Sequence, residues 1–407
     1  MGCPVAAWAR SGVVALTGDP DGPPLVPPGN GALVAGALGR RIAELTGGRV
    51  RVDGPALLAE RAAFTGATRR GAVSVGGSCR LLPTADGLAA VSCARPDDPA
   101  LLGALISAVL DPDDPWPALA SWLRRHPGAE LAERAGLLGL AAAPVGCATG
   151  PAVPEPLAAR PVDGLLVVDF SALWAGPLCA QLLGLAGARV VKVETPTRPD
   201  GARLGDPGFY RLLHAGHRSV VLDPATAAGR RAMAALVQAA DIVVEASRPR
   251  ALARFGLDAE AAVAGGTTWV SITAYGREAD RVGFGDDVAA AAGLVVWDAR
   301  GRPAFCGDAM ADPLTGLTAA ACALTAPAGG GGRLWDVSMA SVVAGTLVGH
   351  GQVHPEPSHI PVPAQAAHRG GSRWMVDTAE GSVPVAAPRR RPFPAGELKP
   401  AEMPDSR

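Results

Sequence analysis

Five short apolar runs between residues 162 and 350 constrain this chain most: LLVVDF (165–170), RVVKVE (189–194), SVVLD (219–223), DIVVE (241–245) and TWVSIT (268–273). Each is too brief for a buried helix and rich enough in Val and Ile for a strand covered on both faces. Helical patterns at 177–184, which has Pro in its first turn, at 225–240 and at 249–256 fall between them. That alternation makes βαβ units. Right-handed crossovers then give a doubly wound, mostly parallel sheet, a Rossmann-like α/β large domain whose strand C-termini share one functional edge.

The rest of the chain is less regular. Residues 1–147 form a smaller α/β-looking segment with a hairpin, 79–82 against 88–94, turning at Asp86-Gly87. A Pro/Ala-rich stretch, 148–161 (ATGPAVPEPLAARP), is the linker to the 162–350 domain, and prolines recur through a tail, 351–407, that wraps or is partly disordered. Segment 11–24 (SGVVALTGDPDGPP) echoes 292–303 (AGLVVWDARGRP).

Charge limits the partners. With 37 Lys+Arg against 38 Asp+Glu, the chain has no basic surplus for nucleic acid or anionic lipid. Seven scattered cysteines without a C-x-x-C pair read as reduced thiols. The start MGCPVAAWAR lacks a signal-peptide pattern, and no apolar run reaches about 18 residues. A cytoplasmic protein without a membrane span is expected. His350, His354 and His359 stand among prolines that prevent one helical face, so no metal site is expected.

The turn DFSALWAGP (169–177) lies where α/β folds bind ligands, and Glu194 ends the second strand as a ribose-binding acid would. Yet the turn lacks G-x-G-x-x-G, which argues against NAD. Three ordered blocks point elsewhere: 167–203 (VVDFSALWAGPLCAQLLGLAGARVVKVETPTRPDGAR), 306–316 (CGDAMADPLTG) and 329–339 (GGGGRLWDVSM). Together they resemble the family III CoA-transferases, also called the CaiB/BaiF family. Residues 80–145 resemble that family's small domain, which normally follows the catalytic segment. The chain thus reads as rearranged, with 1–147 combining a small-domain-like segment and a remnant of a large-domain copy. No aspartate lies between Asp21 and Asp53, so one active site per chain is expected.

The resemblance implies a CoA-transferase taking an acyl-CoA donor and a carboxylic acid acceptor, with coenzyme A as substrate and neither metal nor NAD. It also implies an interlocked homodimer, although the reordering bears on the interlock. Asp312 matches the family's nucleophile, and Gly329, Gly330, Gly331 and Gly332 match its glycine loop, a source of N–H groups for an oxyanion. Leu173, Trp174 and Ala175 fall at the CoA-contacting first turn, and Arg254 and Tyr275 at contact positions. Arg203, with Arg218 and Arg248, is a weaker candidate for CoA's phosphates.

Asp312 also has a purely structural reading, as the N-cap before Pro313 and an apolar helix. Asp308 reads as a loop residue whose loss is mild. His214 and His217, the pair Ala246-Ser247, and Thr195 depart from the family's CoA contacts. Two alternatives follow. One is an acyl-CoA racemase of the same family, whose Gly-His-Asp is Gly285-Asp286-Asp287 here; the other is a non-catalytic family member.

Overall fold

The computed structural model describes residues 2–148, 150–347 and 362–400. His350, His354 and His359 lie outside these residues. Early in the chain come helices α1 (Pro4–Ser11), α2 (Gly31–Leu45) and α3 (Glu60–Thr65). A three-stranded antiparallel sheet follows, with β1 (Cys79–Pro83) paired to β2 (Leu88–Ser92) and β2 to β3 (Ala142–Pro144). The Asp86-Gly87 turn closes the expected hairpin. Helices α4 (Asp98–Ile106), α5 (Trp116–Leu123) and α6 (Gly128–Leu138) cover this sheet around a core of their own, with Leu102, Leu119, Leu123 and Leu131 fully buried.

The large sheet is parallel throughout. Its strands are β4 (Leu166–Asp169), β5 (Arg189–Glu194), β6 (Arg218–Val221), β7 (Ile242–Glu245), β8 (Thr268–Thr273), β9 (Arg333–Ser338) and β10 (Lys399–Pro400), in the order β9-β8-β7-β4-β5-β6-β10. The chain winds outward from β4 through β5 to β6, then returns to β7 on the other side of β4. That is the doubly wound topology, with its switch point between β4 and β7. Alternate residues divide between the faces: Val167, Val190, Ile242 and Val270 enter the main core, while Val168, Val191, Val243 and Trp269 pack on the opposite side with Met233 and Leu236.

Two helices on the main-core face are apolar all round, as buried helices must be: α7 (Ala175–Leu185) and α12 (Ala311–Ala323). They cross closely because Gly316 has no side chain; a β-carbon there would come 2.7 Å from the carbonyl oxygen of Ala175. Helices α1 to α3 enter this same core, with Trp8, Ile42 and Phe64 buried in one cluster with Leu178, Leu314 and Leu317. Residues of the tail also wrap this region. Ala386 donates its N–H to Ala9, and β10 adds a parallel strand to the β6 edge. Among the described residues, no helix is long and apolar enough to cross a membrane.

Candidate active site

The first turn after β4 is held from below by a buried ion network. Lys192 on β5 is fully buried, 2.9 Å from Asp200 Oδ2 and 3.7 Å from Asp169 Oδ2, and its ammonium donates to the Ser171 carbonyl. Burial alone would lower the Lys192 pKa, but Asp169 and Asp200 outweigh it and raise it. Asp200 Oδ1 accepts the N–H of Leu173 at 2.8 Å, and Asp169 Oδ1 accepts that of Ser171 at 2.8 Å. These bonds keep Leu173 in the left-handed region, φ 69°, which costs a branched residue free energy unless its surroundings hold it there. The Leu173 side chain stays exposed while Trp174 is buried, and the next N–H, that of Ala175, faces Asp312.

Asp312 does not cap its helix. Helix α12 starts at Ala311, Met310 is the cap residue, and Asp312 is the second residue of the first turn. The displacement arises because the chain already turns at Ala309, φ 47°, whose carbonyl accepts the Asp312 N–H at 2.9 Å. The carboxyl group is therefore free of a capping duty. It is half-buried, and Gly285 at the start of α11 (Gly285–Ala291) lies directly against it. A β-carbon at residue 285 would overlap Asp312 Oδ2 and stand 2.7 Å from Ala309 Cβ, so only glycine leaves the carboxylate its place.

Three further carboxylates crowd this point. Asp286 Oδ1 accepts the Ala309 N–H at 2.8 Å. Asp287 Oδ1 accepts from Ser92 Oγ on β2 at 2.8 Å and from the Phe284 N–H at 2.9 Å. Asp308 is clamped at both oxygens by Arg61 of α3, with Nε to Oδ2 at 2.8 Å. Burial pushes the Asp312 carboxyl up to about 7; Arg61 and the Ala175 N–H pull it down, while Asp286 and Asp308 add to the rise. Burial likewise raises Asp286 to about 6 and Asp287 to about 7. A carboxyl group held near neutrality by burial beside other charges is a recurrent mark of a functional site.

Asp308 is thus no ordinary loop residue. Its side chain is only 2% exposed, and removing it would leave the Arg61 charge without its partner. Breaking a buried pair costs about 3–5 kcal/mol, and less here because Arg61 keeps 30% of its side chain exposed.

The other expected site residues are scattered. Of Leu173, Trp174 and Ala175, Ala175 meets Asp312 through its N–H, while Leu173 donates its N–H to Asp200 and Trp174 packs under Arg61. Arg203 is bound to Glu194, Nη2 to Oε2 at 2.6 Å, and lies over the Tyr210 ring, so Glu194 serves this pair and the Asp200 N–H at 2.7 Å. Tyr275 is buried with Arg281 over its ring, and Arg254 is exposed at the end of α10 (Pro249–Ala253). Arg218 Nη1 reaches the Pro400 carbonyl at 3.3 Å, and Arg248 is exposed. Gly329, Gly330, Gly331 and Gly332 are not at the site. They follow the C-terminus of α12, whose last residue lies about 17 Å along the helix from Asp312 at 1.5 Å per residue, and Gly332 abuts the carbonyls of Val263 and of Thr267, the residue before β8. The N–H near Asp312 is that of Ala175.

A cleft of ≈450 Å³ is lined by Glu245, Ala253, Asp258, Glu260, Trp269 and Arg277 among others. It does not include Asp312, and three carboxylates against one guanidinium make it a poor cradle for phosphates. Residues that the sequence did not single out are Arg61 and Asp200. Asp200 lies within the 167–203 block without being marked out there, and Arg61 belongs to no motif and reaches the site across 247 residues of chain.

Known proteins share much of this chain. It is 29% identical over 251 residues to the succinate–glutarate CoA-transferase of Agrobacterium fabrum, covering 56% of this chain and 63% of that protein. Formyl-CoA:oxalate CoA-transferase of Escherichia coli is 35% identical over 103 residues, 24% of this chain and 25% of the relative. A crystal structure of a CaiB/BaiF family protein from Brucella suis aligns with TM-score 0.46 and 27% identity, over 55% of this chain and 65% of that one. The chain therefore spans less than two thirds of the length of these relatives. Residues 162–395, more than half of the sequence and the part that builds β4 to β9 and Asp312, match CoA-transferase family III, and the chain belongs to that family.

Proposed function

We propose that this chain moves coenzyme A from an acyl-CoA donor to a carboxylic acid through an aspartyl thioester on Asp312. The observation that carries this reading is the Asp312 carboxyl: half-buried, uncommitted to capping, addressed by the Ala175 N–H, and given room by Gly285. The ionised carboxylate attacks the donor's thioester carbonyl, the C–S bond breaks, and a mixed anhydride and CoA thiolate result. The thiolate then attacks the aspartyl carbonyl carbon, releasing the donor acid and leaving CoA on Asp312. An acceptor carboxylate reverses both steps. The Ala175 N–H is placed to meet negative charge growing on the aspartyl oxygen. Exposed Leu173 marks the open side of the turn, and exposed Arg254 suits a phosphate of the substrate better than Arg203, which Glu194 already holds.

Incubation with a panel of acyl-CoA thioesters tests this directly. Intact-protein mass spectrometry should show a CoA adduct that hydroxylamine removes and that maps to Asp312. If no donor gives an adduct while acceptor-dependent transfer proceeds, the covalent route is wrong.

The racemase reading has one observation behind it, since Asp286 and Asp312 both titrate near neutrality. But Asp286 is buried and spends one oxygen on the Ala309 N–H, and no imidazole faces Asp312 from α11. We expect no deuterium uptake at the α-carbon of a 2-methylacyl-CoA in heavy water. Uptake that requires Asp312 would reverse this ranking.

A further inference from the structure

We propose that Arg61, carried in by the early helix α3, is a positioning residue for Asp312: it clamps Asp308 in the turn that launches α12 and supplies the positive charge of the site. The inference rests on Asp312 being the reacting carboxylate. Its geometry is independent of that chemistry. Arg61 Nε and Nη2 take both oxygens of Asp308, and its guanidinium carbon sits 5.6 Å from the centre of the Trp174 ring, one residue before Ala175. One side chain therefore joins the two turns that meet at Asp312.

The clamp has work to do, because the 307–309 turn is held out of the usual backbone regions. Gly307 and Ala309 have φ of 65° and 47°, and Ala309 has a side chain that disfavours this conformation. The turn is pinned at three points: Thr17 Oγ1 accepts the Gly307 N–H at 3.0 Å, Asp286 accepts the Ala309 N–H, and Arg61 grips Asp308. Two of these three come from residues before 66.

Helix α3 is itself fixed on its far side. Arg390 donates to the Ala63 carbonyl at 2.8 Å and lies over the Phe64 ring, and Arg391 pairs with buried Glu60 at 3.2 Å. Phe64 in turn packs on Phe209, which meets Trp174 edge-on.

The charge balance is as telling. Around Asp312 stand Asp286 and Asp287 from α11, Asp308 from the turn, and a backbone N–H from α7; among the described residues, Arg61 is the cation that acts on Asp312, Asp308 and Asp286 together. Its charge offsets the mutual repulsion of Asp312, Asp308 and Asp286. Arg61 lowers the Asp312 pKa directly, while Asp308 raises it. The two partners of one ion pair thus act on Asp312 with opposite signs.

That opposition supplies the test. Asp312 can be labelled by a water-soluble carbodiimide and an amine, which capture the protonated carboxyl, and the labelled peptide quantified by mass spectrometry across pH. This readout needs no CoA, so it stands apart from the adduct experiment. Arg61→Gln should move the labelling midpoint up by about one pH unit, and Asp308→Asn should move it down. Arg61→Lys, which keeps the charge, should stay close to wild type, and it also serves as the folded control if the glutamine variant is unstable. Midpoints that coincide in all variants, or that move the same way in Arg61→Gln and Asp308→Asn, would overturn the proposal, because loosened packing has no reason to change sign with the charge removed.

Discussion

Asp312→Asn is expected to lose transfer by on the order of a thousandfold or more while melting at the same temperature as the wild type, or higher, at pH 8. Removing a nucleophile takes away the covalent route itself, and losses of this size and larger are usual for such residues. The stability half of the result follows from sign. A carboxyl whose folded pKa lies at about 7, well above its ordinary 3.8, binds its proton more tightly in the folded state. It therefore costs stability increasingly as pH rises from about 4 to 7, and the full cost is present at pH 8. An amide of the same shape carries no such cost. Against it stands only the favourable effect of an acid in the first turn of a helix, about 0.3–1 kcal/mol. Paired measurements of turnover and melting temperature at pH 5 and pH 8 check this. A variant that is inactive because it is unfolded, or active with ordinary turnover, would contradict the assignment.

The second large effect is expected on deletion. A fragment beginning near Pro161 should aggregate on size exclusion and show no transfer. The reason is now specific: helices α1 to α3 share one core with α7 and α12. Trp8, Ile42 and Leu58 are at most 1% exposed, and each fully buried side chain of this kind is worth about 2 kcal/mol. Half a dozen of them already equal a typical net stability of about 5–15 kcal/mol. The deletion also removes Arg61, Thr17 and Ser92, which hold Asp308, Gly307 and Asp287. A monodisperse, active 161–407 fragment would show that the early helices are dispensable.

Much of the sheet was legible in the sequence because buried parallel strands announce themselves. Runs 189–194 and 268–273 coincide with β5 and β8, while 219–223 and 241–245 shift or shorten by one or two residues at their ends, where the ladder frays. The helix read as 249–256 stops at Ala253, since Gly256, φ 82°, closes a turn there. What a pattern of side chains cannot show is a contact between distant segments. Asp308 looked like a loop residue because its partner, Arg61, lies 247 positions away with no periodicity linking them. Gly329 to Gly332 were linked to Asp312 through resemblance, but the rest of α12, Pro313 to Ala323, separates the two. Even the left-handed Leu173 had no local signature, because the bonds that hold it come from Asp200 and, through Lys192, from the next strand.

The core shared between early and late helices has a consequence for synthesis. A ribosome adds roughly 5–20 residues per second, so the 247 residues from Arg61 to Asp308 take roughly ten to fifty seconds to appear. During that interval Trp8, Ile42 and Leu58 leave the tunnel while α12, which shares their core and packs against α2, does not yet exist. The antiparallel sheet of β1 to β3, with its own core, can close in the meantime; the helices before it cannot. The nascent chain is therefore a natural client for a holding chaperone, and its hazard of aggregation lies in translation more than in the finished protein.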